Sequence, residues 1–273
     1  AAFAADAASR MTGVPGVVAV TAGPGVTNTM TAIKNAQMAQ QPVVVLGGAT
    51  ATILRGRGSL QDIDQMSLME PVTKWCGRCT KVGELEPFLE KALRIAQDGV
   101  PGPVFLEIPV DLLYPRETVA EWYMKESGVD KMTGAVGKAA QLGMKAYLKR
   151  QFDMPHIPIP ERPSLDLPLG PSVEAQLRKV VDAVQDADKP VLVIGNQAMV
   201  NLKPAEADEL ATAVKALGLP TFLGGSSRGL LGRRSDIQFR HKRTAALKEA
   251  DVVIVAGFPF DFRMGYGQKI NKK

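Results

Sequence analysis

Short apolar runs rich in valine recur along this chain, and between them the apolar residues spread out to helical spacing. VVAV at 17–20, VVVLGG at 43–48 and VFLEIPV at 104–110 are such runs, with helical patterns over about 26–40 and 84–98. The opening AAFAADAASR also reads as the body of a helix. Apolar runs without polar alternation predict strands buried on both faces, and intervening helices predict right-handed parallel crossovers. From Tyr114 to Pro171 the alternation fails. A short helix is expected near 138–150, followed by the proline-dense connector MPHIPIPERPSLDLPLGP. The alternation then resumes, with helices over about 173–185, 205–217 and 244–250 and strands in VLVIG (191–195), TFLGG (221–225) and VVIVAG (252–257). The expected fold class is therefore α/β, with two open, doubly wound parallel-sheet domains at 1–115 and 172–273 and a linker at 116–171.

Composition narrows this picture. With 273 residues, 45% hydrophobic and 22% charged, the chain is long enough for two ordinary domains with cores of their own. Its longest apolar stretches fall far short of the roughly 20 residues that a membrane-spanning helix needs. The net charge of +5 is partly concentrated in RGLLGRRSDIQFRHKR at 228–243. Such a run reads either as a solvated face or as a phosphate-attracting patch. Aromatic residues make up only 5% of the chain and form no stacking series, so no nucleic-acid partner is expected. The chain starts at Ala1 with no basic-then-apolar leader, and is expected to be a fragment whose front is missing.

Several candidate chemistries fall away on inspection. WCGRC at 75–79 has redox spacing, but its flanks read as extended rather than as a helix N-terminus, and strand residues three apart point to opposite faces. Both cysteines are expected to be reduced and structural. The histidines, His156 and His241, lie too far away in sequence to complete a zinc set, so no metal ligands are assigned. Glu107 and Asp111 in FLEIPVD are expected to face solvent or to cap. Met66 and Met69, at helical spacing, are expected in a core, and Lys74 in solvent.

VTAGPGVTN at 20–28 places glycine, proline and glycine where a strand ends and a helix begins. In open α/β sheets ligands bind at the carboxyl ends of strands. Gly23 and Gly25 withdraw side chains from such a corner and Pro24 stiffens it. Neither a GxGxxG nor a P-loop pattern is present, so a flat, uncharged group suits the turn better than pyrophosphate. A plain tight turn with Thr27 or Asn28 as helix cap is equally consistent with these residues.

A wider resemblance weighs on that choice. The run from AAFAADAASR through GPGVTN to VVVLGG resembles the pyrimidine-binding domain of thiamine diphosphate enzymes of the acetolactate synthase group. LQDIDQ (60–65), TKW (73–75), DGVPGPVFLEIPVDLLYP (98–115) and EADVVIVAGFPFDFR (249–263) continue the match in order. RGSLQDIDQMSL and FLGGSSRGLLGR are most similar to the branch of that group that cleaves 2-hydroxyacyl-CoA. The resemblance implies an incomplete pyrimidine-binding domain followed by a Rossmann-like middle domain.

The same resemblance implies that Gly23, Pro24, Gly25 and Asn28 lie against the aminopyrimidine ring of thiamine diphosphate across a subunit interface, in a homodimer or homotetramer. Gln61 matches the family's substrate-contacting glutamine, although Leu60 and Asp62 flank it where synthases carry Phe and Glu, which argues against a strict pyruvate synthase. The family's catalytic glutamate is expected upstream of Ala1, so no catalytic residue is assigned within the chain, which alone is expected to be inactive. Mg2+ and the diphosphate are expected to be held by a further C-terminal domain, and FAD is not expected. Arg228, Arg233 and Arg234, just past the strand of TFLGG, are expected to meet the phosphates of an acyl-CoA substrate. By resemblance the whole protein is placed at the endoplasmic reticulum membrane through a segment outside this chain, a cytoplasmic location being the alternative. A condensing 2-oxo acid synthase and a noncatalytic nucleotide-binding module remain alternative functions.

Overall fold

The computed structural model describes residues 1–153, 171–200 and 202–270. The chain divides into two compact units, Ala1–Pro160 and Glu161–Lys273. The proline-rich connector at 154–170 and His156 lie outside the described residues.

In the first unit, helices α1 (Ala2–Thr12), α2 (Pro24–Thr27), α3 (Met30–Ala39), α4 (Gln65–Met69) and α5 (Leu85–Gln97) are interleaved with strands β1 (Gly16–Val20), β2 (Val43–Ala49), β3 (Cys76–Arg78) and β4 (Val104–Pro109). The sheet runs β1-β2-β4-β3, with every pairing parallel. Alternate residues of the valine runs serve opposite faces, as the two-residue period of a strand requires. Val43, Val45 and Phe105 pack with Ala32, Ile33 and Ala36 of α3 on one face. Val44 and Val104 pack with Ala92 and Ala96 of α5 on the other. Both faces of β2 and β4 are covered, which is why these strands read as unbroken apolar runs, whereas on the edge strand β1 Val18 is buried and Val17 is exposed.

The span 116–152, expected as part of a linker with one short helix, instead forms two helices, α6 (Arg116–Ser127) and α7 (Gly134–Phe152), which belong to the first unit. Val119, Tyr123 and Leu148 from this pair are buried against Ala51 and Ile53. Arg116 closes the pair with an ion pair to Asp153 at 2.7 Å. Apolar periodicity understated these helices because much of their anchoring is polar, through Tyr123 and Gln151.

The second unit holds α8 (Pro171–Gln185), β5 (Pro190–Ile194), α9 (Pro204–Leu217), β6 (Thr221–Leu223), α10 (Arg243–Glu249) and β7 (Val252–Ala256). Its parallel sheet runs β6-β5-β7. Val191 and Val193 face Leu247 of α10, whereas Leu192 and Ile194 face Ala211 and Val214 of α9. This is the doubly wound arrangement again, now on three strands. No helix among the described residues is long and apolar enough to cross a membrane.

Candidate functional site

The GPG turn leaves the carboxyl end of β1 and opens α2. Gly23 adopts φ 61°, a conformation that glycine reaches without the steric cost borne by other residues, and Pro24 takes the first helical position, where its missing N–H loses nothing. A methyl group on Gly23 would lie 3.0 Å from Gln61 Cβ and 3.2 Å from its Cα. The two positions singled out for cofactor and substrate therefore touch. Gln61 itself holds φ 64° without being glycine, a sparsely populated conformation that the packed turn maintains. Pro24 and Asn28 are exposed on the outer side of the turn.

Gly25 has a different explanation. A methyl group there would lie 2.7 Å from Thr21 Cγ2, within the chain itself. Its missing side chain is accounted for by close packing against Thr21, with no ligand required. Thr27 and Asn28 do not cap α3, whose N-cap is Thr29, and the Thr29 hydroxyl donates to the Val26 carbonyl at 2.7 Å.

Gln61 also lines a cavity of about 200 Å³ at the carboxyl ends of β2, β3 and β4, together with Thr52, Arg55, Arg78 and Glu107. Both carboxylates expected to be exposed or capping are in fact buried: Glu107 is 3% exposed and Asp111 0%. Burying a charge demands partners, and each has them. Glu107 forms an ion pair with Arg78 Nε and accepts from Gln65 Nε2 at 3.0 Å. Asp111 accepts from the Thr52 backbone N–H (3.2 Å), Thr52 Oγ1 (2.6 Å), Gln151 Nε2 (2.6 Å) and the Tyr123 hydroxyl. Burial and the neighbouring Asp111 carboxylate push the Tyr123 hydroxyl well above its ordinary pKa. Asp111 thus fastens α6 and α7 to the Thr52 loop that walls the cavity.

Sequence reasoning missed Gln65. It is 99% buried, accepting from Gly23 N–H at 2.7 Å and donating to the Gly48 carbonyl and Glu107, each at 3.0 Å. The available signal was Glu107 itself, since a carboxylate in a strand buried on both faces requires donors from elsewhere.

The remaining candidates fall as follows. Cys76 and Cys79 are free thiols on opposite faces, one against the α3 side of the sheet and the other beside Leu106 and Leu112. Burial raises both thiol pKa values, and Cys79, further raised by Glu84, reaches about 12. That disfavours the thiolate that redox chemistry needs. Met69 is fully buried and Met66 packs beside it. Lys74, expected merely in solvent, donates to the Ile95 and Asp98 carbonyls at 2.7 and 2.6 Å and so ties down the C-terminal end of α5. Among the described residues no group of His, Cys, Asp and Glu is placed to hold a metal ion.

In the second unit, Arg228 lines a concavity of about 600 Å³ with Arg240, Lys242 and Arg243. Arg233 lines a neighbouring one of about 480 Å³ with Arg240, His241 and Lys242. Arg234 is exposed and lines neither. Arg243 stacks over Phe258 at 5.6 Å.

At the glycine-proline-glycine corner Pro24 and Asn28 are exposed, and Gly23 packs on Gln61, which lines the polar cavity. Residues 1–68 match the N-terminal TPP binding domain of the thiamine pyrophosphate enzymes. Over its full length it is 45% identical to 2-hydroxyacyl-CoA lyase 2 of Danio rerio, covering 43% of that protein. Over 99% of the chain it is 46% identical to the Homo sapiens protein of the same name, covering 42% of it. A probable acetolactate synthase of Mycobacterium bovis is 31% identical over 98% of the chain, which covers 42% of that protein. The chain thus spans about two fifths of the length of these relatives.

Proposed function

We propose that the full-length protein is a carbon–carbon lyase that cleaves 2-hydroxyacyl-CoA to a fatty aldehyde and formyl-CoA. The observation that carries this reading is the packing of Gln61 on Gly23, which joins the cofactor turn to the polar cavity in one site. The identity to relatives named 2-hydroxyacyl-CoA lyase 2, 45% and 46% against 31% for the synthase, favours cleavage over condensation. Thiamine diphosphate, when bound, supplies a nucleophilic carbon and an electron sink for breaking a carbon–carbon bond.

The residues of this chain have supporting roles. Gly23 and Pro24 present a rigid edge to the aminopyrimidine ring, with the exposed Asn28 amide beside it. Gln61 orients the 2-hydroxyacyl group from the cavity side. Arg228 and Arg233 offer cations to the phosphates of CoA, and none of Arg228, Arg233 and Arg234 has a carboxylate partner among the described residues. Mg2+ binding to the diphosphate, a homo-oligomeric assembly and an endoplasmic reticulum location belong to the same proposal for the whole protein.

The test uses the full-length protein. Thiamine diphosphate is titrated calorimetrically with and without Mg2+, and aldehyde and formyl-CoA are then measured from a 2-hydroxyacyl-CoA, with pyruvate as the competing substrate. Tight cofactor binding with formyl-CoA release supports the reading. Condensation of pyruvate without cleavage would move the protein to the synthases, and absence of cofactor binding would leave a noncatalytic nucleotide-binding module.

A further inference from the structure

We infer that Gln65 is the positioning residue of the cofactor turn and that Glu107 sets the orientation of its side-chain amide. The inference rests on the reading of the GPG turn as the cradle of the aminopyrimidine ring. Gln65 stands at the start of α4, 42 residues from Gly23 and 42 from Glu107, and joins them inside the first unit.

An amide has one end that accepts and one that donates, and its surroundings decide which end points where. Here Nε2 meets two acceptors, the Gly48 carbonyl and Glu107 Oε2, so Oε1 must face the Gly23 N–H. All three contacts are satisfied at once. A carboxylate at position 65 would set oxygen against oxygen at Gly48 and Glu107, and an apolar side chain would leave the buried Gly23 N–H without an acceptor. Glu107 accepts on both oxygens, Oε1 from Arg78 and Oε2 from Gln65, so an amide at 107 can serve only one of these donors. The chain Arg78–Glu107–Gln65–Gly23 therefore carries orientation from the cavity floor to the turn. Because Gly23 also presses on Gln61, displacing Gln65 moves both sides of the site.

The inference is tested in full-length enzyme by thiamine diphosphate affinity at fixed Mg2+ and by the melting temperature without cofactor. The variants are Gln65→Glu, Glu107→Gln, the double exchange and Gly23→Ala, with Val45→Ala as a core control away from the turn. Each single exchange is expected to weaken cofactor affinity about tenfold, the scale of one lost buried hydrogen bond. The double exchange restores a donor at 107 facing an acceptor at 65, with the Gly48 carbonyl still unpaired, and is expected to bind more tightly than Gln65→Glu alone. Val45→Ala lowers the melting temperature without changing affinity. Should Gln65→Glu fail to fold, Glu107→Gln keeps the test alive, since it leaves Gln65 and the side-chain volume in place. Unchanged affinity in the single exchanges alongside weakened binding in Gly23→Ala overturns the inference alone, as does a double exchange no better than Gln65→Glu. Unchanged affinity in Gly23→Ala as well overturns the cofactor reading and this inference with it.

Discussion

The two units treat charge in opposite ways. In the first, Glu107 and Asp111 are buried at the carboxyl ends of the sheet with every observed approach a donor, from Arg78, Gln65, Thr52, Tyr123 and Gln151. In the second, Arg228, Arg233, Arg240 and Lys242 crowd open concavities with no carboxylate partner among the described residues, and the buried Gln238 Oε1 between them has no hydrogen-bond partner. Satisfied buried networks fix geometry, because moving any member leaves another unpaired. Exposed cations attract anions over a distance but fix little. The first unit thus fixes the geometry of its polar groups, whereas the second leaves its cations free to meet an anion.

The most severe way to break that contrast is to empty the Asp111 network. Asp111→Ala leaves the Tyr123 hydroxyl, the Gln151 amide and the Thr52 N–H facing a void, and is expected to cost about 3 kcal/mol or more. Denaturant unfolding of the full-length protein measures it. A loss below about 1 kcal/mol, the scale of an exposed pair, would mean that the network is not the anchor of α6 and α7.

Next in size is Gly23→Ala. The left-handed backbone at φ 61° costs an L side chain about 1–2 kcal/mol, and the added methyl meets Gln61. Both stability and thiamine diphosphate affinity are expected to fall. Gly25→Ala disturbs Thr21 instead, so it should lower stability with a smaller change in affinity. Equal affinity losses in the two variants would erase the distinction between the glycine packed on Gln61 beside the cavity and the one packed on Thr21.

A third measurement concerns the interior of the first unit. The Cys79 thiol, pushed up to about 12 by burial and by Glu84, stays protonated in the folded state when the unfolded chain already ionises near its ordinary value of about 8.5. The unfolded state then binds fewer protons, so stability falls with rising pH. The contribution is fully present below about pH 8.5 and is lost progressively as the pH climbs toward 12. Cys79→Ala should flatten the decline over that window, measured as unfolding free energy against pH. An identical slope in both proteins would show that the thiol ionises freely.

What could be read from sequence follows the same physics. Valine runs announced the strands, and strand–turn–helix punctuation located the GPG corner, because backbone geometry and apolar burial leave marks within a few residues. The polar framework left none. Gln65 is one amide at the end of the stretch SLQDIDQ, where α4 begins, and its partners lie 17 and 42 residues away. The expectation that Glu107 and Asp111 face solvent or cap fails because a carboxylate's burial is decided by donors distant in sequence, such as Thr52 and Gln151. Helix α6 falls where only linker was expected and α7 extends the short helix expected near 138–150, since part of what holds both is that carboxylate.

The smallest expected effect sharpens the comparison from the side of the second unit. Arg228 and Arg233 line the basic concavities and Arg234 does not, although the sequence makes the three look alike. If the unit gathers phosphate, Arg228→Ala and Arg233→Ala in full-length enzyme should raise KM for a 2-hydroxyacyl-CoA by roughly three- to tenfold at low salt with little change in kcat. Arg234→Ala should do less. The difference should shrink as ionic strength rises and the screening length falls to about 8 Å at 0.15 M, because exposed charges act through solvent. Helix α10 adds nothing to this attraction, since its seven residues give only a weak dipole and Lys242 sits at its start. A thioester lacking the nucleotide supplies the control. Equal losses on both substrates would show that these arginines serve the stability or solubility of the unit, and the division of labour between a rigid reacting site and a loose phosphate collector would fail at its second half.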